Sequence, residues 1–283
     1  MKTINVELIN AFTANGNGGN PAGVVLGAEG LSEKQKLMIA QAVGYSETAF
    51  VTADDSADFA VSFYTVTDEV DFCGHATLAT FSTLFKQGIV PAGQFTQRTK
   101  AGLLEVHIEP DGQVMLQQNT PTWLKTFSKA DVSSLFDNLE PGELPIESLT
   151  TGLSDLILPV AKGTLEQLSP NDDAIAEFSR KHNLVGIHAF EICSEKSKYT
   201  ANCRNFAPLF GIPEESATGS SNGALACYLT KHLGPKDEFL FEQGKAMNCR
   251  SELKAVVKYR NDKFHSVVVG GYAAPIGTKQ VVV

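Results

Sequence analysis

Short runs that alternate apolar and polar positions, or that are rich in β-branched residues, recur along the chain. They include residues 5–12, 23–26, 47–52, 58–65, 102–108, 113–118, 188–192 and 264–269. Gly, Pro, Asn and Asp turns bound them, as in Glu109-Pro110-Asp111-Gly112. A period of two with turn residues at both ends predicts antiparallel strands. Four segments break this pattern with helical spacing. Ser32 to Val43 opens on a capping box, Ser32 with Gln35, and stops at Gly44. Asp172 to Lys181 is amphipathic. His75–Lys86 and Gly219–Lys231 are apolar most of the way round, which predicts helices buried on all sides. The mixed, polar stretch 124–145 predicts a connection with a short helix, after a linker near residues 118–126.

The two apolar helices follow similar turns. Phe72-Cys73-Gly74-His75-Ala76-Thr77-Leu78-Ala79 and Ala217-Thr218-Gly219-Ser220-Ser221-Asn222-Gly223-Ala224 align with Gly74 on Gly219, His75 on Ser220 and Ala79 on Ala224. This predicts an internal duplication. The fold class expected is α+β, with two pseudo-symmetric lobes, each a strand-rich barrel wrapped around a central helix. The lobes are placed at 1–118, completed by 270–283, and at 119–269. A helix N-terminus exposes N–H groups and the positive end of the dipole, so each lobe would offer an anion site.

Composition narrows the partners. The chain has 283 residues, 43% of them hydrophobic, and carries 23 basic against 32 acidic residues for a net charge of −9. Without a basic cluster, neither nucleic acid nor an anionic membrane is an expected partner. Five cysteines, with no C-x-x-C pair, point to reduced thiols and a cytoplasmic location. The six histidines do not stand at finger-like spacings from the cysteines, so no metal site is expected. The first residues, Met1 to Glu7, lack the apolar core of a signal peptide, and no run reaches the length of a membrane span.

Several residues carry candidate chemistry. Glu47 opens a strand on the same side as Ala49 and Val51, where an acid needs a partner or a task. It is either a strand-end acid reaching water or a general acid/base. His75 lies in the first turn of a helix, either capping it or serving as a neutral relay. Cys73 is an activated thiol or simply a small buried residue. Glu214 and Glu215 precede the second turn, either as dipole partners or as a second carboxylate orienting His75 or substrate. The glycine-rich stretch 15–21 lacks the third glycine of a dinucleotide fingerprint and leads into a strand, so it predicts a flexible loop with Asn20 as a hydrogen-bond donor.

Six segments in order resemble the phenazine-biosynthesis PhzF-like family, which shares the diaminopimelate epimerase fold. They are Gly19-Asn20-Pro21-Ala22, Ser46-Glu47-Thr48-Ala49-Phe50-Val51, Asp71-Phe72-Cys73-Gly74-His75-Ala76-Thr77, Arg204-Asn205-Phe206-Ala207-Pro208, Ala217-Thr218-Gly219-Ser220 and Phe241-Glu242-Gln243-Gly244. The resemblance implies an active site between two lobes, a homodimer and no cofactor. It implies Glu47 as catalytic acid/base and Gly74 and His75 as substrate contacts; beside these, His75 and Glu215 are expected to position or relay, and Asn20, Ser46, Gly219 and Ser220 to contact the substrate. Where the family reads E-D-P-A-T-G-S, this chain has Glu215 for the aspartate and Ser216 for the proline. The chemistry implied is isomerisation of a small carboxylate, as in the family's dihydro-hydroxyanthranilate. Relatives of this fold racemise with two facing cysteines; here Cys73 is kept and Thr218 takes the other place. A racemase using Cys73 and a non-catalytic metabolite-binding protein are the alternative readings.

Overall fold

The computed structural model describes residues 2–283. The chain forms two compact units. One runs through Gln117 and takes back Gly270–Val283; the other is Gln118–Val269.

In the first unit the strand Thr3–Ala11 pairs antiparallel with Asn20–Val25 and with the C-terminal strand Ala273–Val282. Asn20–Val25 continues in parallel to Thr48–Thr52, which pairs with Phe59–Tyr64. Phe59–Tyr64 lies parallel to Gly93–Thr99, which pairs antiparallel with Gly102–Ile108, and that strand with Val114–Gln118. Two helices belong to this unit, α1 (Glu33–Val43) and α2 (Gly74–Lys86). The capping box of α1 closes in both directions between Ser32 and Gln35, and Gly44 ends the helix with φ of 78°. Only glycine adopts that conformation without steric cost. α1 packs its Ile39 and Ala40 onto one sheet face against Val6, Val25, Phe50 and Tyr64.

α2 contacts strands on several sides: Thr3–Ala11, Asn20–Val25, Thr48–Thr52, Gly102–Ile108 and Ala273–Val282. Every residue from His75 to Leu84 is buried. A helix so enclosed must satisfy its own hydroxyls. Thr77, Thr80 and Thr83 do so by donating to the carbonyls of Cys73, Ala76 and Ala79 at 2.7–2.8 Å.

The second unit repeats the plan with α3 (Asp172–His182) outside and α4 (Gly219–Leu233) enclosed. The strand Thr122–Phe127 pairs with Ile146–Thr150, and that strand with Ser154–Pro159. Next come Gly186–Ile192, parallel, and Ala201–Ala207, antiparallel. Glu238–Gln243 lies parallel to Ala201–Ala207 and pairs with Ser251–Arg260. α3 is capped by the Asn171 side chain and sets Ile175 and Phe178 into an apolar core with Leu156, Leu158, Ile187 and Phe206. α4 packs on Ile146–Thr150, Ser154–Pro159 and Ser251–Arg260. At Gly223 an added Cβ would stand 3.0 Å from Val269 Cγ2, so a larger residue there requires Val269 to give by a few tenths of an ångström.

Three expectations need correction. The short helix expected within 124–145 does not form. Ser128 and Asp131 bond reciprocally into a turn, and Phe136–Asp137 pairs with Ser169–Pro170 instead. The expected linker near 118–126 is largely the strand Thr122–Phe127. Asn20 is not on a flexible loop: it opens the strand Asn20–Val25, is buried, and pairs with Ala11. Among the described residues no helix is long and apolar enough to cross a membrane.

Candidate active site

Candidate residues gather at the N-terminus of each enclosed helix. In the first unit, Cys73 takes the N-cap position of α2 in extended conformation, without a side-chain capping bond. The first helical hydrogen bond runs from Thr77 N–H to Cys73 C=O at 3.0 Å. The N–H groups of Gly74, His75 and Ala76 therefore precede the ladder, as at any helix start. His75 is 6% exposed and stands between three side chains. Its Nδ1 is 3.4 Å from Cys73 Sγ. Its Nε2 is 3.3 Å from Glu47 Oε2 and 3.5 Å from Ser46 Oγ. The ring thus turns Nδ1 toward the thiol and Nε2 toward the carboxylate.

Glu47 immediately precedes the strand Thr48–Thr52, and its carbonyl accepts from Gly23 N–H at 3.1 Å. That bond fixes where the side chain leaves the sheet. Oε2 is buried, and the nearby Nε2 is not aligned as a hydrogen-bond donor to it. A buried carboxylate oxygen without an aligned donor is costly and rare, and it concentrates at sites with a chemical task. Asn20 opens the parallel neighbouring strand at the end where Glu47 enters its own. The ligand-type atoms of Glu47, Cys73 and His75 all lie within 4.8 Å of one another, a grouping that sequence spacing does not display.

In the second unit, Glu215 ends the strand Ile212–Glu215 and Thr218 takes the N-cap position of α4. Thr218 Oγ1 donates to Glu215 Oε2 at 2.7 Å. Gln243, wholly buried, ties the corner together. Its Nε2 donates to Glu215 C=O at 2.7 Å and to Thr218 Oγ1 at 3.0 Å. Its Oε1 accepts from Thr218 N–H at 3.2 Å and from Asn222 Nδ2 at 2.8 Å. The first ladder bond of α4 is Asn222 N–H to Thr218 C=O, so the N–H groups of Gly219, Ser220 and Ser221 precede it. Thr151 Oγ1 donates to Ser220 C=O at 3.2 Å.

The two acids before α4 have different surroundings. Glu214 is held by Arg204 through a two-pronged pair, Nε to Oε1 and Nη2 to Oε2, both 2.8 Å. Arg204 also donates to the carbonyls of Leu165 and Leu168. Glu214 is thereby a structural partner, and Glu215 is the one carried to the helix start.

At α4 lies a polar chain of which only Asn205 and Ser221 belong to the motifs named above. Ser221 donates to Asp155 Oδ2 at 2.6 Å, and Asn205 Nδ2 lies 3.1 Å from Ser221 Oγ and 3.2 Å from His188 Nδ1. Burial pushes the Asp155 carboxyl up to about 7 and the His188 imidazole down to about 3. Both shifts favour the neutral form, as expected of groups removed from water. For Asp155 the available signal is an acid inside the apolar run Ser154–Pro159.

A family profile described as "Phenazine biosynthesis-like protein" matches residues 9–278. The "Uncharacterized isomerase YddE" of Escherichia coli K12 is 33% identical and is aligned over 94% of each chain. An "Uncharacterized isomerase" of Deinococcus radiodurans is also 33% identical, over 93% of this chain and 90% of its own. Among solved structures, the Bacillus anthracis phenazine biosynthesis protein of the PhzF family superimposes with a TM-score of 0.90 at 28% identity, covering both chains fully.

Proposed function

The chain belongs to the phenazine biosynthesis-like family, and from that premise we propose that it is a cofactor-independent isomerase moving a proton on a small carboxylate substrate, with Glu47 as the acid/base. The observation that carries this reading is the Glu47 carboxylate: half-buried, with Oε2 lacking an aligned donor and a nearly fully buried imidazole 3.3 Å away.

Ionised Glu47 removes a proton from the substrate carbon. The electron pair left behind delocalises into the conjugated system of the substrate as an enolate-like charge. Protonated Glu47 then returns the proton to a different carbon on the same face, and the carboxylate is regenerated. His75 stands beside the Glu47 carboxylate, Nε2 3.3 Å from Oε2, with its ring held from behind by Cys73 Sγ. Ser46 Oγ, on the same ring nitrogen, is a substrate contact, and Asn20 another. The N–H group at Gly74 binds the substrate carboxylate, and those at Gly219 and Ser220 offer an anion site of the same kind in their own unit. Loss of one such donor costs about 10²–10³-fold in rate. Glu215 orients substrate through a carboxylate that Thr218 holds.

Thiol-based stereoinversion finds less support. Thr218, at the position duplicating Cys73, gives its hydroxyl to Glu215, and threonine is far too weak an acid to replace a thiol.

The reading is tested by turnover of trans-2,3-dihydro-3-hydroxyanthranilate and a panel of small carboxylates, followed for wild type, Glu47→Gln and Glu47→Asp. Glu47→Gln is expected to be inactive at unchanged fold, and Glu47→Asp to retain a small residual rate. Undiminished turnover by Glu47→Gln removes Glu47 from the mechanism.

A further inference from the structure

Cys73, His75 and Glu47 present a thiol, an imidazole and a carboxylate to one small volume. These are three ligand types that zinc accepts, and two of them become anionic, so a divalent ion would be neutralised by its own ligands. The spacing fits as well. Bond lengths of about 2.3 Å to sulfur and about 2.1 Å to nitrogen or oxygen put ligand atoms roughly 3.3–3.6 Å apart around a tetrahedral ion. Here Nε2 stands 3.3 Å from Glu47 Oε2 and 4.0 Å from Cys73 Sγ. The third side, between the Glu47 and Cys73 ligand atoms, is within 4.8 Å, so side-chain rotation about the ion's position closes the triangle. The buried Oε2, without an aligned donor, gains a partner when an ion binds. The positive end of the α2 dipole opposes a cation, and the thiolate at the N-cap position offsets it.

We propose that Glu47, Cys73 and His75 form a three-ligand site for a soft divalent cation of the zinc type, with water as the fourth ligand. On binding, the Cys73 S–H proton passes to solvent, neutral His75 ligates through Nε2 with its ring proton on Nδ1, Glu47 ligates through Oε2, the sulfur–metal bond forms, and the hydrated ion releases the waters these ligands replace. Bound there, the ion holds the carboxylate oxygen of Glu47. Loss of turnover on metal addition follows only if the proposed reaction is also right, and it is read separately.

The test uses metal-free full-length protein titrated with Co²⁺ under anaerobic conditions, without substrate. The expected result is a thiolate-to-cobalt charge-transfer absorption in the near ultraviolet, saturating at one equivalent and erased by Zn²⁺. Cys73→Ser loses the band, whereas Cys193→Ser and Cys249→Ser, at the two partly exposed thiols, keep it. Absence of the band in wild type, or its survival in Cys73→Ser, overturns the proposal. Should Cys73→Ser fail to fold by circular dichroism, Glu47→Gln decides. Loss of a direct ligand must weaken Co²⁺ binding by about tenfold or more, since even outer partners of a ligand contribute that much. Unchanged affinity in Glu47→Gln overturns the site.

Discussion

Gln243 donates from Nε2 to the backbone carbonyl of Glu215 across 2.7 Å, tying the strand Glu238–Gln243 to the corner that precedes α4. The same side chain accepts from Thr218 N–H and Asn222 Nδ2. One buried amide thus fixes where the Glu215 carboxylate and the start of α4 stand.

Replacing Gln243 with Leu keeps the approximate size and removes all of these bonds. The groups left behind are half-buried at Glu215 and Thr218 and buried at Asn222, and each buried polar group without a partner costs about 1–3 kcal/mol. The variant is expected to lose about 2–4 kcal/mol in chemical denaturation. A loss near zero would show that water or neighbouring groups replace Gln243 and that it does not organise the corner.

Arg204 and Glu214 make a stronger claim of the same kind. Arg204 is 8% exposed, and all its bonds are internal. Removing one member of a buried pair strands the other charge, which costs about 3–5 kcal/mol. Arg204→Met should therefore approach that loss. Arg98→Ala, which breaks the exposed pair with Asp54, should lose far less. Equal effects in thermal melts would contradict the reading of Glu214 as structural.

Asp155 predicts a pH dependence. Its folded-state carboxyl, raised to about 7 by burial, binds its proton more tightly than in the unfolded chain, where 3.8 applies. The stability it contributes is full below about pH 4 and is lost as pH rises through about 7. Asp155→Asn removes that loss, so the variant should gain on wild type between pH 5 and pH 8. His188 acts in the opposite sense: lowered to about 3 from 6.5, it contributes stability above pH 6.5 that is lost as pH falls. Denaturation midpoints of wild type and Asp155→Asn across this range decide. A constant difference would mean that Asp155 titrates normally.

Local chemistry was the legible part of the sequence. The Ser32–Gln35 box and the stop at Gly44 describe the ends of α1 with no help from tertiary structure. The all-round apolar character of α2 and α4 marks them as enclosed. Long-range pairing was not legible. The sequence flags Glu47, Cys73 and His75 separately, but that one imidazole contacts both the thiol and the carboxylate depends on how α2 packs on Thr48–Thr52. Glu214 and Glu215 are equivalent as letters, and only the position of Arg204 separates them. Gln243 lies in the Phe241–Gly244 motif with no role legible there, because a polar residue in a strand carries no sign of the side it faces. The helix expected in 124–145 failed because Ser128 and Asp131 prefer a turn there.

The central claim is that Glu47 carries the proton. Proton NMR in D₂O, with trans-2,3-dihydro-3-hydroxyanthranilate and wild type beside Glu47→Gln, tests it most directly. The account predicts deuterium in the ring with wild type and none with Glu47→Gln. Equal incorporation by the two proteins would contradict it.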